Sequence, residues 1–286
     1  MAAFCLYLSR QNDKQIHDML TFISCAKTMA SRASVATPLL TEPQYINQAK
    51  LYASALASCS EEELMDMLHV SGQIAATVRK YYTDIVRGEA ELMPAILAYT
   101  GAVFKRISPK DFSSEDFAFA QEHLRITSFL YGLLRPLDMI SPYRLEGNVI
   151  LHMPESSAAQ EQTEAPGRKD MFSRWRPVLT EGFISEIRAR GGILVDLASE
   201  EMKDLFDWKR VCSEVRVVRP EFRTLTPEGR LKTIVIYAKM CRGEMTRMII
   251  RQRIQDPEAL KSFCWEGFCY DRSLSSPDRM FFVKEA

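Results

Sequence analysis

Strand-length apolar runs alternate irregularly with longer stretches of helical spacing along this chain, and that order alone narrows its architecture. Met19–Ser24 (MLTFIS) and Ile193–Ala198 (ILVDLA) read as short strands, with Asp196 partly buried in the second. Ser213–Val218 and Leu231–Ala238 read as two more, a hairpin through Thr226-Pro227-Glu228-Gly229, and Met280–Val283 as a closing strand. Leu145–Leu151 is a further candidate. From about Glu42 to Ala98 the spacing is helical: Leu64, Met67 and Leu68 share a face, Val70-Ser71-Gly72 interrupts it, and Ile74–Ile85 resumes it. Ser113 and Asp116 have the spacing of a capping box, and the helix they start is expected to run to Tyr131 with Gly132 as its stop. Further helices are expected over Met171–Ala189, ended by Gly191-Gly192, and over Glu244–Ile254. The expected fold class is α/β in the mixed α+β sense. A single domain over 19–286 would hold a mixed sheet flanked by helices, with a helical, helix-hairpin-helix-like subdomain at about 42–98.

Residues 1–18 carry no clear period and read as an N-terminal extension, with Met19 standing where a true initiator would. Pro154–Gly167 is polar and bounded by prolines, the composition of a surface loop. At 286 residues and 47% apolar, the chain can bury a core without disulfide or metal. No run approaches about 20 uncharged apolar residues, so no membrane span is expected. The first residues lack a basic leader, so a cytoplasmic location is expected. Seven cysteines include no CxxC and four histidines no HxxxH, so reduced thiols, no metal site and no cofactor are expected.

Lys+Arg and Asp+Glu both number 37, so net charge points to no partner, but its distribution does. Between Lys203 and Arg253 stand thirteen basic residues against six acidic, a weak pointer to an anionic ligand. Within that block, Tyr237–Arg247 reads as a strand, a turn bearing Lys239 and Arg242, and a helix start. Cations there oppose the macrodipole unless an anion neutralises them, and free N–H groups at a helix start suit phosphate. Arg247 and Arg251 share a face of that helix; a solvated basic face with Glu244 pairing is the alternative. A second cluster, Tyr131–Asp138 with Ser141–Glu146, holds Arg135, Asp138, Tyr143, Arg144 and Glu146 on stiff, proline-fixed chain. It reads equally as a site or as internal Arg135–Asp138 and Arg144–Glu146 ion pairs. Lys27 follows directly on the first strand, the edge position of functional side chains in α/β sheets.

The hairpin Val70–Ala75 could offer Gly72 to a nucleic-acid phosphate, but Glu61, Glu62, Glu63 and Asp66 flank it against only Arg79 and Lys80.

Taken together, Ile23–Thr28, Gln121–Arg125, Leu130–Asp138, Pro142–Glu146, Leu197–Glu201 and Tyr237-Ala238-Lys239 with Arg242-Gly243 and Arg247 resemble the YaaA-type peroxide stress response family. The family usually has proline where Cys25 stands. The resemblance implies a cytoplasmic protein that protects against hydrogen peroxide, partly by limiting free iron, and that binds duplex or distorted DNA. It also implies a basic cleft formed by Lys27, Arg135, Asp138, Tyr143, Arg144, Glu146, Lys239, Arg242 and Arg247, with Gly72 in the hairpin. The expected function is non-specific binding of the DNA backbone through this cleft and the helix-hairpin-helix-like element. The alternative is an enzyme acting on a small phosphate- or carboxylate-bearing substrate in the same cleft, with Lys27, Lys239, Asp138 and Glu146 as candidate catalytic groups.

Overall fold

The chain begins its order with β1 (Met19–Ile23), in a computed structural model that describes residues 18–153 and 169–285. Helices α1 (Ile46–Ala57), α2 (Glu61–Leu68) and α3 (Gly72–Arg87) follow, then β2 (Met93–Pro94), α4 (Ala95–Ala98), α5 (Ala102–Ile107) and α6 (Ser114–His123). Next come β3 (Leu124–Ser128), β4 (Gly132–Leu134), β5 (Met139–Ile140), α7 (Met171–Ala189) and β6 (Ile193–Asp196). The C-terminal part holds α8 (Glu200–Lys203), α9 (Trp208–Glu214), β7 (Arg216–Leu225), β8 (Leu231–Lys232) and α10 (Val235–Gln252). It closes with β9 (Cys264–Trp265), β10 (Phe268–Ser276) and β11 (Arg279–Glu285). The expected mixed α/β class is what forms.

One mixed sheet runs β4-β3-β1-β6-β7-β11-β10-β9, with β8 beside β7. Its centre is parallel: β1 lies between β3 and β6, and β7 joins β6 to β11. Every residue of β1 is buried, as a strand with neighbours on both edges and layers on both faces must be. Phe22 meets Phe183 of α7 at 5.6 Å between ring centroids. Side chains of this kind contribute about 1.5–3 kcal/mol each on full burial.

After β1 the chain moves toward the β3 side, and after β6 it continues to β7 on the other. Outgoing connections thus diverge at the carboxyl ends of β1 and β6, which opens a crevice there.

Several boundaries differ from the sequence reading. The Ser113–Asp116 capping box forms, but α6 stops at His123 rather than Tyr131. Leu124–Ser128 is buried throughout and pairs with β1, so sheet pairing wins over the continuing helical period. Gly132, instead of ending a helix, turns β3 into β4 at φ 75°, where a Cβ would lie 2.8 Å from the Trp175 ring. Leu145–Leu151 forms no strand; an isolated bridge joins Ile150 to Asp170. The strand expected at Ser213–Val218 starts at Arg216, because α9 reaches Glu214, and extends to Leu225. The hairpin to β8 forms, but β8 ends at Lys232 and the residues after Ile234 are helical, so α10 begins about nine residues before the expected Glu244.

Helices α2 and α3 are joined by a short turn in which His69 is left-handed at φ 50°. Cys264 and Cys269 are directly opposed across the β9–β10 ladder and joined as a disulfide, which corrects the expectation of reduced thiols throughout. The polar loop at 154–167 and residues 1–17 lie outside the described residues. Among the described residues no helix is long and apolar enough to cross a membrane.

Candidate functional site

A cleft of about 340 Å³ opens at the carboxyl ends of β1 and β6, where the chain order diverges. Its floor is the turn after β1. There the Cys25 N–H donates to Thr127 Oγ1 at 3.1 Å, and Ser24 Oγ accepts from the Ser199 N–H at 2.9 Å. These bonds tie the ends of β1, β3 and β6 together. Gly101 permits the close approach of the next wall, since a Cβ there would sit 2.8 Å from that of Ala26. Gly243 does the same for α10, where a Cβ would come within 2.3 Å of the Val103 carbonyl oxygen of α5. Without side chains at these two glycines, α10 can bring Lys239 and Arg242 to the rim.

The third wall is the segment Tyr143–Glu146. Tyr143 is buried, and its hydroxyl lies 2.8 Å from both Tyr99 Oη and Ser128 Oγ. Burial pushes the Tyr143 phenol well above its ordinary range, so it remains a neutral hydrogen-bonding group. Tyr82 of α3 donates to the Arg144 carbonyl, which fixes the segment against α3. Glu146 accepts from Lys27 at 2.9 Å and from Arg144 Nη2 at 3.3 Å. Arg144 Nε is buried without a hydrogen-bond partner. Burial pushes the Cys25 thiol, on the floor, up to about 12.

Arg242 differs from the other cleft arginine. Among the described residues its guanidinium makes no hydrogen bond or ion pair, and burial lowers its pKa although Asp196, Glu200 and Glu221 act to raise it. Behind it, Asp196 is buried and bonded to Lys203 at 3.1 Å and Arg219 at 3.2 Å. Burial raises the Asp196 pKa, and those two cations oppose the shift.

The structure brings together six of the expected residues: Lys27, Tyr143, Arg144, Glu146, Lys239 and Arg242. The others stand elsewhere. Arg135 and Asp138 form the internal pair, with Asp138 fully buried and also accepting from Thr41 Oγ1 at 2.6 Å. Arg247 donates to the carbonyls of Ile107 and Ser108 at the end of α5. Gly72 is the first residue of α3 and is not part of the cleft lining. Lys239 and Arg242 lie inside α10 rather than at a helix start, so the macrodipole argument for an anion there does not hold. What remains is Arg242 itself, half-buried in the cleft wall without a protein partner among the described residues. Sequence reading passes over Ser24 and Gly101; Ser24 had the same strand-end signal as Lys27, whereas Gly101 has none. Among the described residues no three His, Cys, Asp or Glu side chains converge as a metal-binding group.

A sequence model described as peroxide stress protein YaaA matches residues 19–274. The chain belongs to the YaaA peroxide stress family. It is 51% identical to a UPF0246 protein of Phocaeicola vulgatus over 92% of this chain and 98% of the relative. It is 52% identical to one of Bacteroides thetaiotaomicron over 93% and 98%, and 42% identical to one of Porphyromonas gingivalis over 93% and 100%. In this YaaA-family chain the matched region starts at β1 and includes the whole cleft.

Proposed function

We propose that this peroxide stress protein works by binding a small phosphate- or carboxylate-bearing molecule in the strand-end cleft. The observation that carries the reading is Arg242, a half-buried guanidinium in the cleft wall with no hydrogen bond or ion pair among the described residues. Its donors are left to solvent, and an anion that supplies charge-assisted hydrogen bonds would engage them. Lys239 adds an exposed cation on the same rim, and Glu146, held between Lys27 and Arg144, is the group placed for proton transfer if the ligand is turned over. Resistance to peroxide, and any effect on free iron, would follow from what happens to that ligand in the cytoplasm.

DNA is the second reading, and the α2–α3 hairpin favours it. Against it stand Arg135 and Arg247, which serve internal pairs, and the acidic first turn of α2 formed by Glu61, Glu62 and Glu63. Binding of inorganic pyrophosphate and of a fluorescent duplex containing a bubble separates the two, using wild type, Arg242→Gln and Gly72→Glu. The small-ligand reading expects saturable pyrophosphate binding, weakened roughly tenfold or more by Arg242→Gln and untouched by Gly72→Glu. Tight duplex binding with a steep salt slope, lost in Gly72→Glu and indifferent to pyrophosphate, would replace it with the DNA reading.

A further inference from the structure

Arg242 forms a wall of two clefts at once. Beyond it lies a second cleft of about 390 Å³, edged by Asp196, Lys203, Arg219, Glu221, Arg223 and Arg279. Each is within the range of small-molecule sites, roughly 300–1,000 Å³. Their chemistries differ. Phe104, Phe129, Leu145, Leu197 and Met202 make the strand-end cleft apolar beneath its charged rim.

The second cleft is walled mostly by charge. Glu221 accepts from Arg223 at 2.6 Å and from Arg279, while Asp196 holds Lys203 and Arg219. Counting Glu200 and Arg242, five cations there face three carboxylates, so two positive charges are in excess.

We propose that the two clefts are one bipartite site for a nucleoside monophosphate, with the base in the strand-end cleft and the phosphate beside Arg242 in the charged one. A flat ring gains from apolar walls that strip its faces of water, while its polar edge meets the hydroxyls of Ser24, Thr28 and Ser199. A phosphate monoester near neutral pH carries close to two negative charges, the number in surplus around it, and guanidinium forks match its oxygens. The crevice at diverging strand ends is also where open α/β sheets hold such ligands. This inference builds on the reading of the strand-end cleft as an anion site and names its ligand class.

Isothermal titration of the full chain at low ionic strength tests it, with inorganic phosphate, ribose 5-phosphate, adenosine and the four common ribonucleoside monophosphates. The variants are Arg242→Gln and Ala102→Phe, the second placing a ring where the base would lie; circular dichroism and melting check that both fold. At least one nucleotide is expected to bind tenfold or more tighter than phosphate and ribose 5-phosphate. Arg242→Gln is expected to weaken it roughly tenfold or more. Ala102→Phe is expected to erase the nucleotide's advantage while leaving phosphate bound. If phosphate, ribose 5-phosphate and every nucleotide bind equally and all depend on Arg242, the bipartite site is wrong and the simple anion site stands. Nucleotide binding indifferent to both variants places the ligand elsewhere and overturns the proposal. No binding by any probe overturns it together with the anion site.

Discussion

Three arginines of the basic half and its neighbour cluster have different fates, and their partners decide which. Arg135 is spent on Asp138 and the Glu42 carbonyl, Arg247 on the last carbonyls of α5, and Arg242 on nothing within the described chain. Asp138, a candidate catalytic group by sequence, accepts from Arg135 and from Thr41 while fully buried. Removing it leaves Arg135, Thr41 and a backbone N–H without their acceptor. Asp138→Ala is therefore expected to cost about 3–5 kcal/mol, read by urea unfolding; a stability change within experimental error would return Asp138 to the list of functional groups. Cys25 makes the pH prediction at this scale. Its folded pKa lies above that of an unfolded thiol, so the folded state prefers the protonated form, and the stability this contributes falls as pH rises past about 8.5. At pH 8 its alkylation by iodoacetamide, followed by peptide mass spectrometry, should be roughly a thousandfold slower than that of a free thiol. Alkylation at the ordinary rate would mean the cleft floor is open to water. Lys27 and Glu146 were legible because each sits beside a strand end or a proline. The roles of Arg135 and Arg247 were not, since their acceptors include groups 93 and 140 residues away in sequence.

At the scale of elements, the cleft depends on how closely α10 approaches α5. Gly243 faces the Val103 carbonyl, and a methyl group there has only 2.3 Å. Gly243→Ala is expected to push the two helices apart and destabilise the fold by about 1–3 kcal/mol, measured as a fall in melting temperature. The same variant should weaken pyrophosphate binding, because the shift moves Arg242; a variant as stable as wild type would show that α10 does not need that contact. The segments misread from sequence share a physical cause. Ile234, Val235 and Ile236 are β-branched and favour a strand by propensity, yet α10 buries Ala238, Cys241 and Met245 and leaves Val235 and Ile236 exposed. Leu124–Ser128 continues a helical period, but as a strand covered on both faces it needs no polar alternation to mark it. By contrast α7 matched its expected bounds because Asp170 caps it and Gly191-Gly192 follow it, signals that act locally.

For the whole molecule, the mixed α/β class was legible from the order of elements, and the strand order was not. Nothing local says that β1 lies between β3 and β6, separated from them by about a hundred and by more than a hundred and sixty residues, or that β7 passes from β6 to β11 partway along its length. That long-range order creates the site, because it makes β1 and β6 end side by side and diverge. Pro220 fits within β7 for the same reason. The Arg219 N–H faces β11, so Pro220 presents its missing donor to the side where β6 pairing has already ended at Val218. The claim that rests most on this arrangement is that anions collect at Arg242. Its most direct test is a crystal of the full chain soaked in tungstate, a heavy stand-in for phosphate, with the anion located by anomalous scattering. The dominant peak is expected within hydrogen-bond reach of the Arg242 guanidinium, and absent from the same position in Arg242→Gln crystals. A dominant peak at the α2–α3 hairpin, with none at Arg242, would contradict it.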